Sequence, residues 1–300
     1  MRWVALWIGV HRRFQRFYSD LLLTPDQTQD GMTKQLGVRQ KLEQVYYGQS
    51  SEAPPGFLVG SWGKTTQVRP PRDLDLFFVL PLDVFTRFDG RAGNKQSALL
   101  QEVKEALQDK YVQSDLRGDG QVVLIAFNTI DIEIIPVFAI ANNQFVMPDA
   151  NGGGRWKIVD PLAQIALIQA VDQQTSGNTR ALARMMKQWT RHYNVPIKSF
   201  IIELLVTFFM RQYHNSDKSF FWYDWVVRDF LSYLCGLKSG TLTLPGTGDV
   251  IQLGDEWVSK AQSSLTITLS ACDMERNNWT MMAGEEWQKI FGSRIPVYVT

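Results

Sequence analysis

Two stretches of the chain read as strands from their hydrophobic pattern alone. Over residues 129–138, Thr-Ile-Asp-Ile-Glu-Ile-Ile-Pro-Val-Phe, polar and apolar positions alternate. Alternation turns Ile130, Ile132 and Ile134 toward a core and leaves Asp131 and Glu133 together on the other face. Over residues 73–80, Asp-Leu-Asp-Leu-Phe-Phe-Val-Leu, two carboxylates open a run that is then continuously apolar. A continuous apolar run marks a strand buried on both faces. Side chains two apart in a strand point the same way, so Asp73 and Asp75 project together, about 6.6 Å apart along the chain. Residues 121–127 give a further apolar strand, and 57–59 a short one leading into Gly60-Ser61, read as a turn. Eleven residues of loop separate Ser61 from Asp73.

Helical spacing governs other parts. Residues 5–23 carry a stripe through Leu6, Phe14, Phe17, Tyr18, Leu21 and Leu22. Thr24-Pro25-Asp26 reads as a helix start, with Thr24 at the N-cap and Pro25 at the first helical position, and the helix runs to about Tyr47. Residues 97–111 place Leu99, Leu100, Val103 and Leu107 on one side of another helix. The polar stretches 83–93, 115–120 and 142–154 read as loop, turn and loop, and Pro81 ends the strand before the first of them. From Asp160-Pro161 onward helices dominate, over 161–173, 178–193, 197–213 and 221–236. A Gly/Thr turn region at 238–254 and one or two more helices within 255–290 follow. The expected class is α+β, with a mixed sheet and helices over residues 1–155 and a helical lobe over 156–300.

Composition narrows the chemistry. Hydrophobic residues make up 45% and charged residues 20% of the 300, enough for a sizeable core. The net charge of +1 provides no global field for a long nucleic acid, although a local basic cluster can still grip a small phosphorylated ligand. Two cysteines, Cys235 and Cys272, suit a reducing cytosol and lack zinc spacing. Three scattered histidines argue against histidine-based catalysis. The N-terminal apolar run is too short to span a bilayer, and Arg12 and Arg13 stand where a cleavage site needs small residues. A cytoplasmic protein with no membrane partner is expected.

Two carboxylates at the mouth of a buried strand are costly unless a cation neutralises them. With a third acid, Asp131 or Glu133, they make a hard oxygen donor set suited to Mg²⁺ or Mn²⁺. Two such ions roughly 3.5–4 Å apart would clamp an in-line phosphoryl displacement. Arg184 and Lys187 stand three apart on one helix face, ready to hold phosphates. Glycine at position 60 lets the backbone approach phosphate, and Ser61 can donate a hydrogen bond to it. Each part has a plainer reading: a solvated acid pair, the wet face of an edge strand, a charged helix surface, an ordinary turn. The loop 142–156, with three consecutive glycines and Trp156, reads either as a border of the nucleotide pocket or as a surface loop.

Taken in order, an apolar residue, Gly-Ser, about a dozen residues, Asp-x-Asp on an apolar strand and a later acid on another strand resemble the polymerase-β-like nucleotidyltransferase superfamily. The finer resemblance is to the bacterial CD-NTases of anti-phage (CBASS) signalling, similar to cyclic GMP–AMP synthase (DncV-like) and oligoadenylate synthase. It rests on the blocks GSWGKTTQVRPPRDLDLFFVL, IDIEIIPVF, NGGGRWKIVDP, MMKQWTRHYNVPIKSFIIELLV and EEWQKIFGSRIP, spread over residues 57–295.

The resemblance implies a bilobal nucleotidyltransferase in which Asp73 and Asp75 hold two metal ions. Arg184, Lys187 and Ser199 would contact the donor triphosphate. In relatives the third acid sits three residues before a proline, the place of Glu133 before Pro136, while Asp131 lies on the same face. The implied activity joins nucleoside triphosphates, ATP among them, into a cyclic di- or trinucleotide messenger with release of pyrophosphate. A monomer is expected, with room for a regulatory protein partner. Two alternatives stand beside it. One is nucleotide transfer to an RNA, protein or small-molecule acceptor. The other is an inactive nucleotide-binding protein, which the retained acids disfavour because unpaired buried carboxylates are a burden without metal.

Overall fold

The computed structural model describes residues 8–299. Helix α1 (Ile8–Leu21) and helix α2 (Pro25–Tyr47) come first. The expected part of α1 around Leu6 lies outside the described residues. Thr24 caps α2 reciprocally with Gln27: the Gln27 N–H donates to the threonine hydroxyl at 3.2 Å, and Gln27 Oε1 accepts from the Thr24 N–H at 3.0 Å. Gly48 ends the helix in the left-handed region at φ 67°.

A sheet follows, with helices interspersed: β1 (Phe57–Leu58), α3 (Gly60–Lys64), β2 (Asp73–Val79), α4 (Leu82–Asp89), α5 (Lys95–Gln108), β3 (Asp115–Asp119), β4 (Val122–Ala126), β5 (Asp131–Ala139), β6 (Phe145–Asp149) and β7 (Arg155–Val159). The strands run in the order β1-β2-β5-β4-β3, and β6 bridges β5 to β7. Among the described residues, only β2 and β5 pair in parallel; the other pairs are antiparallel.

Alternation sorts the two central strands. Leu74, Leu76 and Phe78 of β2, with Ile132 and Ile134 of β5, face one side, where α2 and α5 cover them with Val38, Leu42, Leu99 and Val103. The opposite side carries Phe77, Ile135 and Val137, packed with Phe145 and Met147. The acids at the start of each strand share this second side.

Several polar stretches are more regular than their sequence. Residues 83–93, expected as loop, hold most of α4, which buries Val84 and Phe88. Residues 115–120, expected as a turn, form β3, which pairs with β4. The 142–154 loop contains β6, and the Gly/Thr region folds as a hairpin of β8 (Thr241–Thr243) and β9 (Val250–Gln252). Gly60-Ser61 opens the short helix α3 and is not a simple turn.

The second half is helical: α6 (Pro161–Gln174), α7 (Asn178–His192), α8 (Ser199–Gln212), α9 (Tyr223–Cys235), α10 (Val258–Arg276) and α11 (Thr280–Phe291). Helix α1 packs into this lobe. Phe14 lies 5.0 Å, centroid to centroid, from the Trp287 ring, and Arg13 Nε donates to Glu275 at 2.8 Å in a buried pair.

Candidate functional site

The parallel register of β2 and β5 brings four acids together. Asp73 pairs with Asp131, and Asp75 with Glu133. Their strand neighbours Leu74 and Ile132 point the other way and are fully buried. All four carboxylates therefore leave one face at the start of the two strands. Backbone bonds fix this edge: the Val59 N–H donates to the Asp75 carbonyl at 3.0 Å, and Trp62 Nε1 donates to the Asp73 carbonyl at 3.0 Å.

Gly60 sits against Asp75. Its φ of +55° favours glycine, and a Cβ placed there would lie 1.7 Å from Asp75 Oδ2. The backbone entering α3 thus rests directly on the carboxylate, with Ser61 facing the same cleft.

A buried carboxylate organises the basic side. Glu203, one turn into α8, is 2% exposed. It accepts from Lys187 Nζ at 2.8 Å, from Thr66 Oγ1 at 2.5 Å, and pairs with Lys64 at the end of α3. Lys187 also donates to the Thr66 carbonyl at 3.0 Å. One acid thereby ties α3, the following loop, α7 and α8 around a cleft of about 200 Å³.

The site's electrostatics follow from this packing. Burial, reinforced by the neighbouring Asp73, pushes the Asp75 carboxyl up to about 6, with Lys64 opposing. Burial would also raise Glu203, but the Lys187 and Lys64 ammoniums outweigh it and hold the carboxyl at about 2. Burial lowers Lys187, and Glu203 offsets part of that. Burial, then repulsion from Arg72, brings Arg191 down to about 10.

The residues singled out from sequence fall into two groups. Gly60, Ser61, Asp73, Asp75, Lys187 and Ser199 line the one cleft. Glu133 lines an adjoining cleft that shares Gly60, Lys64 and Asp75. Asp131 stands beside Asp73 in register but lines neither cleft. Arg184 spends its donors on the backbone of the loop, at 3.0 Å to the Gln67 carbonyl and 2.6 Å to that of Thr65. Its place is behind the cleft wall. Trp156 packs on Phe85 and Phe138 and donates to Asp89 at 3.0 Å, so it borders neither cleft.

Sequence reading missed Lys64, Arg72, Arg191 and Glu203. Glu203 had a signal, a lone acid in the apolar run Phe-Ile-Ile-Glu-Leu-Leu-Val. Arg191 had one too, one helical turn after Lys187.

Among the described residues, no three His, Cys, Asp or Glu side chains form a group that could hold a metal ion. The Asp73/Asp75 pair nevertheless fits a hard divalent cation. Its oxygens are the donors Mg²⁺ takes, its mutual repulsion is what a cation relieves, and Mg²⁺ needs few protein carboxylates when phosphate oxygens and water complete its shell.

Residues 8–172 match the family described as the Second Messenger Oligonucleotide or Dinucleotide Synthetase domain. That match covers more than half of the chain, and the chain belongs to this family of nucleotidyltransferases. Among curated proteins, no sequence matches it. Solved structures share its fold nearly end to end. CdnC of E. coli MS115-1, in complex with HORMA-deltaN, superposes with a TM-score of 0.67 at 18% identity, over 95% of this chain and 98% of that one. The CD-NTase CdnG of Bradyrhizobium diazoefficiens, in complex with GTP, gives 0.70 at 11% identity, over 95% and 96%. The cyclic AMP-GMP synthase DncV of Vibrio cholerae gives 0.64 at 13%, over 97% and 88%. The fold is the α+β, bilobal, polymerase-β-like nucleotidyltransferase fold of these enzymes.

Proposed function

We propose that the protein joins nucleoside triphosphates, ATP among them, into a cyclic di- or trinucleotide signal in anti-phage (CBASS) defence. The observation that carries this reading is one cleft gathering Gly60-Ser61, the Asp73/Asp75 pair, and the Lys64, Lys187 and Ser199 side chains. A ribose hydroxyl oxygen bonds to the α-phosphorus of a triphosphate, the bond to the leaving group breaks, and pyrophosphate and the hydroxyl proton depart. Ser61, Ser199 and the two lysines hold the donor's phosphates, and Glu203 keeps the lysines in place. Asp73 and Asp75 would hold two Mg²⁺ or Mn²⁺ ions. When bound, such ions neutralise the phosphates and lower the pKa of the attacking hydroxyl. Glu133 is the third acid in this scheme, supported by its place beside Asp75 on the adjoining cleft wall. Among the described residues no helix is long and apolar enough to cross a membrane, and the cytoplasm is where the substrates are. A regulatory protein partner fits the same reading, as CdnC is seen with HORMA-deltaN.

The test is incubation of the purified protein with the four NTPs and Mg²⁺ or Mn²⁺, followed by mass spectrometry. A phosphatase-resistant cyclic product is expected. Nucleotide attached to another acceptor, or bound nucleotide with no turnover under either metal, would overturn the reading.

A further inference from the structure

Glu203 offsets part of the charge of the two lysines of the cleft, and two arginines beside them have donors to spare. Arg72 and Arg191 line the catalytic cleft and also a second cleft of about 430 Å³, which includes Thr190, Asn194 and Ser199. The two guanidiniums and Ser199 therefore form a wall common to both. Among the described residues, the Arg72 guanidinium makes no hydrogen bond or ion pair. Arg191 donates to the Val68 carbonyl at 3.3 Å. A guanidinium carries five N–H donors, so most of this pair's capacity is unspent. The two lie close enough for Arg72 to disfavour the charge on Arg191, while Asp73 offsets part of that repulsion and Arg294 adds to it. Planar guanidinium forks match phosphate oxygens two at a time, and an anion between like charges removes their repulsion.

We propose that Arg72 and Arg191, with Asn194 and Ser199, form a second oligophosphate subsite next to the catalytic cleft. Its ligand class follows from these donors; its physiological source rests on the proposed nucleotidyl transfer. Two sources share the chemistry: the pyrophosphate leaving the reaction, and the 5′-triphosphate of a linear product turning to become the acceptor.

The experiment is calorimetric titration of the full chain, in Mg²⁺, with inorganic pyrophosphate. Arg72 is exposed, so Arg72→Ala leaves the fold intact. It is expected to weaken pyrophosphate binding about tenfold, the loss of one charged phosphate contact. Asn194 has a positive φ of 51°, which glycine adopts freely. Asn194→Gly removes a neutral donor with no change of charge and is expected to weaken binding about threefold. Unchanged affinity in both variants would overturn the subsite. So would loss in Arg72→Ala alone, which would make the effect one of general charge.

A second titration compares a linear dinucleotide bearing a 5′-triphosphate with one bearing a 5′-hydroxyl. Loss in the variants for the triphosphate form assigns the subsite to the growing product. Loss confined to pyrophosphate assigns it to the leaving group. Because binding is read without turnover, the two ideas separate. Arginine-dependent pyrophosphate binding without nucleotide joining keeps the subsite and removes the function, and joining with unchanged affinities does the reverse.

Discussion

Glu203 interrupts the apolar run Phe-Ile-Ile-Glu-Leu-Leu-Val and is the acid on which both cleft lysines depend. An ion set this deeply buried repays its desolvation only while every partner is present. Glu203→Gln leaves two ammoniums without their counter-charge and is expected to cost about 3 kcal/mol at neutral pH. The carboxyl is held at about 2 against an ordinary 4.5, so its stabilisation is complete above about 4.5 and fades as pH falls toward 2. Thermal unfolding across that acid range should show wild type losing its advantage over the variant step by step. A variant as stable as wild type at neutral pH would mean that water solvates the lysines and that the acid does not position them.

At the scale of elements, the junction of β1, α3 and β2 sets the geometry of the acids. Gly60 has no room for a methyl group beside Asp75. Gly60→Ala should fold but push the carboxylate aside, and a displacement of about 1 Å at a reacting centre can cost about a hundredfold in turnover. Steady-state kinetics on NTPs checks this; full activity would mean that Asp75 can shift without consequence.

The same junction illustrates what the sequence could and could not convey. Strand β5 was legible because its side chains alternate and β2 because two acids open a continuously apolar run, and the acids came with them. Strand β3, Asp-Leu-Arg-Gly-Asp, has a single apolar side chain and exists through backbone pairing to β4, which leaves no periodic signature. Strand β6 hides behind Pro148, which opposes Trp156 at its register position. Helix α4 follows directly on Pro81, and its polar residues mask the spacing of Val84 and Phe88. In the site, Lys187 and Ser199 were legible from motif order. The bond from Lys64 to Glu203 was not, because those residues lie far apart in sequence and meet only in the folded chain.

At the scale of the molecule, the cleft is composite. The sheet contributes Asp73 and Asp75, α3 contributes Gly60, Ser61 and Lys64, and α7 and α8 contribute Lys187, Arg191, Ser199 and Glu203. Arg184, expected to touch nucleotide, instead grips the loop between α3 and β2 from the helical side. We infer that it serves the site by holding that loop in place. The sheet runs on through β7 to Val159, past the boundary expected after residue 155, before the helices take over at Pro161. Helix α1, the first described element, packs among the final helices through Phe14 and Arg13.

The most direct test of the proposed two-metal nucleotidyl transfer is the double variant Asp73→Asn with Asp75→Asn. Both side chains keep their shape and lose their charge, and the half-buried Asp75, already pushed up to about 6, gives up no stabilising charge. The variant should melt as a folded protein and yield no product from NTPs with Mg²⁺ or Mn²⁺ by mass spectrometry, under conditions where wild type makes a phosphatase-resistant cyclic product. A double variant that still joins nucleotides would contradict the account.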